Sequence, residues 1–197
     1  MPEHELEFQQ IHDVYRPRIA RYLARLAGED DAEDLCQEVF AKVDRGLGSF
    51  RAEAGLSTWI YRIATNAFHD RLRSRSYRQR RMETPSPAEE IDGLKDVPDT
   101  ADRPPSAEQQ VIREEMIACI RGYIDQLPED YRLVLLLSEE EGFKNREIAE
   151  ILQISLENVK IRLHRARAKL KESLEGHCDF YLDERSEIAC DRRQNDD

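Results

Sequence analysis

Between Ser57 and Arg81 the chain interleaves aromatic and cationic side chains. Trp59, Tyr61 and Phe68 alternate with Arg62, Arg71, Arg73 and Arg75, and Asn66 lies among them. Aromatic faces stack unpaired bases, guanidinium groups hold a phosphate backbone, and an amide can read a base edge. Together with the preceding loop, Phe50 to Leu56, the segment has the chemistry of a single-stranded nucleic-acid contact. Trp59 taken alone fits a core position better.

A second basic segment follows much later. "NREIAEIL" and "LENVKIRLHRARAKLKESL" are two helical patterns separated by "QIS", a short first helix and a tight turn, as in a helix-turn-helix. Ala149 is small where the two helices cross, Ile154 is the apolar turn residue, and Ser155 can cap the second helix. Val159 and Leu163 face inward. Lys160, Ile161 and His164 are placed to reach base edges, and Arg162 and Arg165 to clamp phosphates. Gln153 stands where such turns often have glycine, so either it adopts a left-handed conformation at some cost or the turn is built differently.

The tail "EGHCDFYLDERSEIACDRRQNDD" holds His177, Cys178 and Cys190. Two cysteines with eleven residues between them and one adjacent histidine lack the paired spacing of a zinc site, so these three are weak metal candidates. The tail is expected to form a short helix packing Phe180, Tyr181 and Ile188, with a reversible dithiol as the alternative use of its cysteines. Cys36 and Cys119, on helices with apolar neighbours, are expected to be core thiols.

The chain's formal charge of −11 would ordinarily argue against a nucleic-acid partner, but the charge is sorted into blocks. From Ser57 to Arg81 there are seven basic residues against Asp70 alone, and from Glu157 to Glu172 six against two acids. Between them, Met82 to Gln110 carries eight acids against Lys95 and Arg103. Two separated basic blocks predict a bipartite contact with a polyanion.

The elements that must position these residues are helical. Phe8, Ile11, Tyr15, Ile19 and Leu23 recur at helical spacing. A second helix opens in the acids of "GEDDAED", runs through Leu35, Val39 and Val43, and ends at Gly46 or Gly48. Ser57 or Thr58 is the expected cap of a third helix that buries Ile60, Ile63, Ala64, Ala67 and Leu72. Residues 82–107 hold five prolines, many acids and few apolar side chains, so they are expected to be an extended acidic linker. The expected architecture is all-α: a helical domain over 6–81, the linker over 82–107, a helix-turn-helix domain over 108–175 and a C-terminal extension over 176–197. No run of about 18 apolar residues occurs and the N-terminus is acidic, so the chain is expected in the cytoplasm with no membrane insertion. No Gly-rich phosphate loop, G-x-S-x-G or H-E-x-x-H motif is present, so neither an enzyme nor a cofactor is expected.

"DAEDLCQEVFAKV", "SFRAEAGLSTWIYRIATNAFHDRLR" and "LPEDYRLVLLLSEEEGFKNREIAEILQISLENVKIRLHRARAKLKE", in that order, resemble an extracytoplasmic-function sigma factor of the sigma-70 family. The resemblance covers roughly residues 8–175. It implies a bacterial initiation subunit that takes core RNA polymerase to promoters. It assigns Asp31, Glu33, Asp34, Gln37 and Glu38 to the polymerase contact, with Leu35, Val39 and Phe40 packing behind them. It places Phe50, Arg51, Ala52 and Leu56 in a loop that holds a base flipped out of the minus-ten element, with Ile63 and Asn66 lining that pocket. Arg62, Arg71 and Arg73 supply the nearby positive charge. Lys160, Ile161, Arg162, His164 and Arg165 would read the minus-thirty-five duplex. The resemblance further implies a linker running through polymerase and control by an anti-sigma factor. The rival expectation is a stand-alone helix-turn-helix regulator with an N-terminal partner-binding domain, which would usually dimerise on a palindromic site.

Overall fold

A computed structural model describes residues 3–50, 55–79, 107–182 and 188–192. Among them are seven α-helices. Helix α1 spans Glu3–Ala27, α2 Glu29–Leu47 and α3 Leu56–Gln79. Later come α4, Ala107–Asp125, and α5, Glu129–Leu135, followed by α6, Asn145–Leu152, and α7, Leu156–His177. Of the linker expected over 82–107, residues 82–106 lie outside the described residues, and Ala107 already belongs to α4.

The first three helices pack on one apolar seam. Ile19, Leu23, Leu35, Val39, Val43, Ile60 and Ala64 are wholly buried, with Tyr22 and Phe68 filling the spaces beside them. Gly28, at a φ of 84°, lets the chain turn from α1 directly into α2. Acids Glu29, Asp30 and Asp31 occupy the first turn of α2, where the helix dipole favours them. At its other end α2 closes on α3: a Cβ on Gly46 would lie 2.9 Å from Trp59 Cζ2. The cap of α3 is not the expected serine or threonine. Gly55 offers its carbonyl to the Trp59 N–H at 3.0 Å, and Thr58 is buried inside the first turn.

The apolar run "YRLVLLL" forms α5 and then a single π-helical turn, Leu136–Glu140, which keeps Leu133 through Leu137 buried together. In the helix-turn-helix, Glu147 accepts the Lys144 N–H at 2.8 Å at the start of α6, and Ile148 and Ile151 are buried. Ser155 caps α7 as expected, its Oγ accepting the Asn158 N–H at 3.2 Å. Val159, Leu163 and Ala166 form the buried stripe of α7.

The tail departs from expectation. Instead of a helix, Cys178–Leu182 (β1) and Ile188–Arg192 (β2) pair as an antiparallel hairpin in which Phe180 faces Cys190 and Cys178 faces Arg192. "CDFYL" alternates apolar and polar side chains, a strand period that a 3.6-residue periodicity cannot use.

By internal contacts the chain separates into two units, one of residues 1–85 with 133–162 and the other of 86–132 with 163–197.

Gln153 has φ 54° and ψ 42°, the left-handed region, and its N–H bonds to the Ala149 carbonyl. A non-glycine residue there costs about 1–2 kcal/mol, partly offset by glycine's larger entropy in the unfolded chain. Gln153→Gly is therefore expected to stabilise the chain by roughly 0.5–1 kcal/mol. A rise in the urea midpoint at unchanged slope checks this, and Gln153→Val should move the midpoint down.

Candidate nucleic-acid and polymerase interfaces

Helix α2 presents two faces of opposite character. Leu35, Cys36, Val39, Phe40 and Val43 are buried, which turns Glu33, Asp34, Gln37 and Glu38 outward on one exposed face. Hydrogen bonds from Gln37 and then Arg16 hold the Glu33 carboxyl below the usual carboxylate range. Arg16 Nη2 reaches both Glu33 oxygens, at 2.7 and 2.9 Å, and Lys42 Nζ lies 2.8 Å from Glu38. Asp31 stands apart from that face. It is 8% exposed and 3.6 Å from Arg71 Nη1, so it joins α2 to α3.

On α3 the aromatic residues divide. Tyr61 and Phe68 are at most 1% exposed and belong to the core, not to a stacking surface. Trp59 is half-buried, its ring 5.0 Å from that of Phe50, so the loop's first residue is anchored to the helix. Leu56, Arg62 and Ile63 are half-buried at the surface, while Asn66 is exposed. Arg71 is engaged by Asp31, and Arg73 by Asp70 at 2.7 Å in a solvent-exposed pair. A surface pair of that kind is worth little, so Arg73 can exchange its partner for a phosphate. Arg51 and Ala52 lie outside the described residues.

On α7, Lys160, Ile161, His164 and Arg165 are exposed and Arg162 is half-buried, opposite the Val159–Leu163–Ala166 stripe. Ile161 is 40% exposed on an otherwise charged face. Burial does not account for an isoleucine there, but contact with a thymine methyl in a major groove would.

Sequence patterning missed an interaction centred on Glu141. The Tyr61 hydroxyl donates to Glu141 Oε2, and Arg18 Nη2 reaches the same oxygen at 3.3 Å. Phe143 packs edge-on to the Tyr61 ring at 4.8 Å, and Arg25 lies 3.6 Å from Glu140. Beneath, Thr65 donates to the Tyr61 carbonyl at 2.8 Å, so Tyr22 must be the donor in its 2.9 Å contact with Thr65. Burial, then the Glu141 charge, pushes the Tyr61 phenol far above its ordinary range, so it remains a proton donor. The partners of Glu141 on α1 and α3 are far away along the chain, so no local pattern marks the contact.

Comparison with known proteins now decides the family. The models for Sigma-70 region 2 and for Sigma-70, region 4 match residues 11–78 and 117–170. The RNA polymerase sigma-H factor of Pseudomonas aeruginosa is 34% identical over 166 residues, 82% of each chain. The chain belongs to the sigma-70 family of RNA polymerase sigma factors. SigZ of Bacillus subtilis is 31% identical, covering 93% of this chain and 96% of that protein. The extracytoplasmic-function factor SigW of the same organism is 32% identical over 85% of this chain and 88% of its own. Among solved structures, the sigma factor RpoE bound to the anti-sigma factor NepR, from Bartonella quintana, shares the fold. Its TM-score is 0.65 at 22% identity, over 86% of this chain and 97% of that one. CnrH with the cytosolic domain of CnrY gives 0.59 at 21% identity, over 87% and 90%. The region 2 match also decides against a stand-alone regulator, because it covers the block in which the two readings differ.

In this sigma factor Glu141→Ala removes the acceptor of a buried phenol, which costs about 1–3 kcal/mol. Adding Tyr61→Phe should recover part of that loss. Urea unfolding of both single variants and the double should give a coupling energy of at least about 0.5 kcal/mol; additive losses would show the contact to be idle.

Proposed function

We propose that this sigma factor meets its three partners through the surfaces set out above. Glu33, Asp34, Gln37 and Glu38 dock on core polymerase, and Asp31 supports them from behind through Arg71. The loop from Phe50 to Leu56, including Arg51 and Ala52, with Ile63 and Asn66, receives a base flipped from the non-paired minus-ten strand, while Arg62 and Arg73 hold its backbone. Lys160, Ile161 and His164 read the minus-thirty-five duplex between the phosphate clamps Arg162 and Arg165. The division into a polymerase-binding, melting domain over 6–81 and a duplex-reading domain over 108–175 follows the same assignment. The carrying observation is the exposed Ile161 set among cations on α7, opposite a fully buried stripe.

The mechanism is binding alone, with no catalytic step of the chain's own. Unstacking a base costs a few kcal/mol, so opening must be offset by contacts available only to the single strand. An exposed amide on a helix whose neighbouring aromatics are locked in the core offers such a contact without rearrangement. Phosphate contacts in two places make promoter binding steeply salt-dependent.

An anti-sigma factor is a further proposed partner, supported by the solved relative RpoE, which is seen with the anti-sigma factor NepR. The proposed compartment is the cytoplasm, where polymerase and DNA meet. Among the described residues no helix is long and apolar enough to cross a membrane.

The assignment is tested by separating binding from opening. Asp34→Lys with Glu38→Lys should weaken binding of fluorescent sigma factor to purified core at least about tenfold. Asn66→Ala should bind core normally, and its holoenzyme should lose permanganate reactivity of minus-ten thymines. Arg165→Ala should weaken promoter binding and lower the salt slope by about one. Unchanged core affinity in the charge reversal, or normal opening by Asn66→Ala, would refute the corresponding assignment.

A further inference from the structure

The C-terminal hairpin brings together three thiols that lie far apart in sequence. Cα pairing of Phe180 with Cys190 and of Cys178 with Arg192 sets Cys178 and Cys190 diagonally on one side of the hairpin. β2 packs against α4, on which Cys119 and Tyr123 are one turn apart on the same face. Cys178 is 2% exposed. Cys119, Tyr123 and Cys190 are all near enough to act on its thiol. Cys119 and Cys190 are only half-buried, and all three sulfurs are reduced.

The buried thiol of Cys36, at 1% exposure, turns to the Arg16 carbonyl oxygen at 4.0 Å. Cys178 instead has two other sulfurs around it. No group of three or more His, Cys, Asp or Glu among the described residues is arranged to hold a metal ion. His177 turns its Nδ1 to the Ser173 carbonyl at 2.7 Å, away from a ligand role at that nitrogen. Sulfur chemistry, rather than coordination, is what the cluster can do.

We propose that Cys119, Cys178 and Cys190 form a peroxide-responsive thiol–disulfide site in which Cys190 is oxidised first and Cys178 resolves it. The Cys190 thiolate attacks the O–O bond of a hydroperoxide, becomes a sulfenic acid and releases an alcohol, or water from hydrogen peroxide. The Cys178 sulfur then attacks the Cys190 sulfur, forming a Cys178–Cys190 disulfide with loss of water. Two thiols have together given up two electrons and two protons, and the peroxide has been reduced. Attack of Cys119 on the Cys178 sulfur finally passes the bond to Cys119–Cys178 and frees the Cys190 thiol, with no net redox change. Exposure excludes Cys178 as the first thiol, and of the two half-buried ones Cys190 shares the hairpin face of Cys178. Burial, then its thiol neighbours, push the Cys178 thiol up and leave it a poor first nucleophile. The product ties the hairpin covalently to α4, and a thiol reductant reverses it.

The experiment treats the full-length chain with a few equivalents of hydrogen peroxide, blocks remaining thiols by alkylation, and maps peptides by mass spectrometry. Two thiols per molecule should be lost, with an intramolecular Cys119–Cys178 peptide pair and Cys36 still alkylated. The melting temperature should rise by about several degrees, reversed by dithiothreitol. Cys190→Ser should fold, as circular dichroism can show, and form the bridge at least about tenfold more slowly. With diamide as oxidant, which bypasses the sulfenic acid, Cys190→Ser should bridge at the wild-type rate. Over-oxidation to sulfinic acid without a bridge, bridges only between molecules, or an unchanged peroxide rate in Cys190→Ser would overturn the proposal. So would stoichiometric zinc binding that protects all three thiols from alkylation.

Discussion

Every outward charge in the first block is fixed by one apolar seam. Ile19 and Leu23 on α1, Leu35 and Val39 on α2, and Ile60 and Ala64 on α3 are completely buried against one another. A helix buried along such a stripe has no rotational freedom left, because turning it by one residue would expose isoleucine and bury a carboxylate. The acidic row on α2 and the exposed Asn66 on α3 are therefore consequences of packing. Side chains held in place in this way need little ordering on association with a partner.

The Glu141 cluster obeys the same logic with polar groups. A carboxylate that is 9% exposed can be buried only if its charge and lone pairs are answered, and Arg18 and Tyr61 answer them. One consequence concerns Tyr61 itself. An aromatic side chain that composition would offer to DNA is committed here to Glu141 and Phe143, and is not part of an exposed stacking surface.

Much of this was legible in the sequence. "NREIAEIL" coincides with α6 because its apolar residues fit one period and Gln153 ends it, and the strain expected at Gln153 is present in its φ of 54°. The buried stripes of α2 and α7 were equally plain, since three- and four-residue spacing is a local property. What escaped depends on distance along the chain. Neither the Tyr61–Glu141 contact nor the approach of Cys119 to the hairpin has a local signature. The hairpin differs from the expected helix because "CDFYL" finds its hydrogen-bond partners in a second strand that begins only at Ile188. Asp31 shows the limit of carrying over a motif: an acid in a row of acids is not on their face when its helical position turns it toward Arg71.

The central claim is that this fold starts transcription at chosen promoters, and run-off transcription with purified bacterial core polymerase tests it most directly. The templates are genomic fragments from the chain's own organism, including the region upstream of its gene, with core alone as the reference. The account predicts discrete transcripts that appear only when the chain is added and that fade steeply as salt is raised. Tight binding to core with no transcript from any fragment, under reducing and oxidising conditions alike, would contradict it.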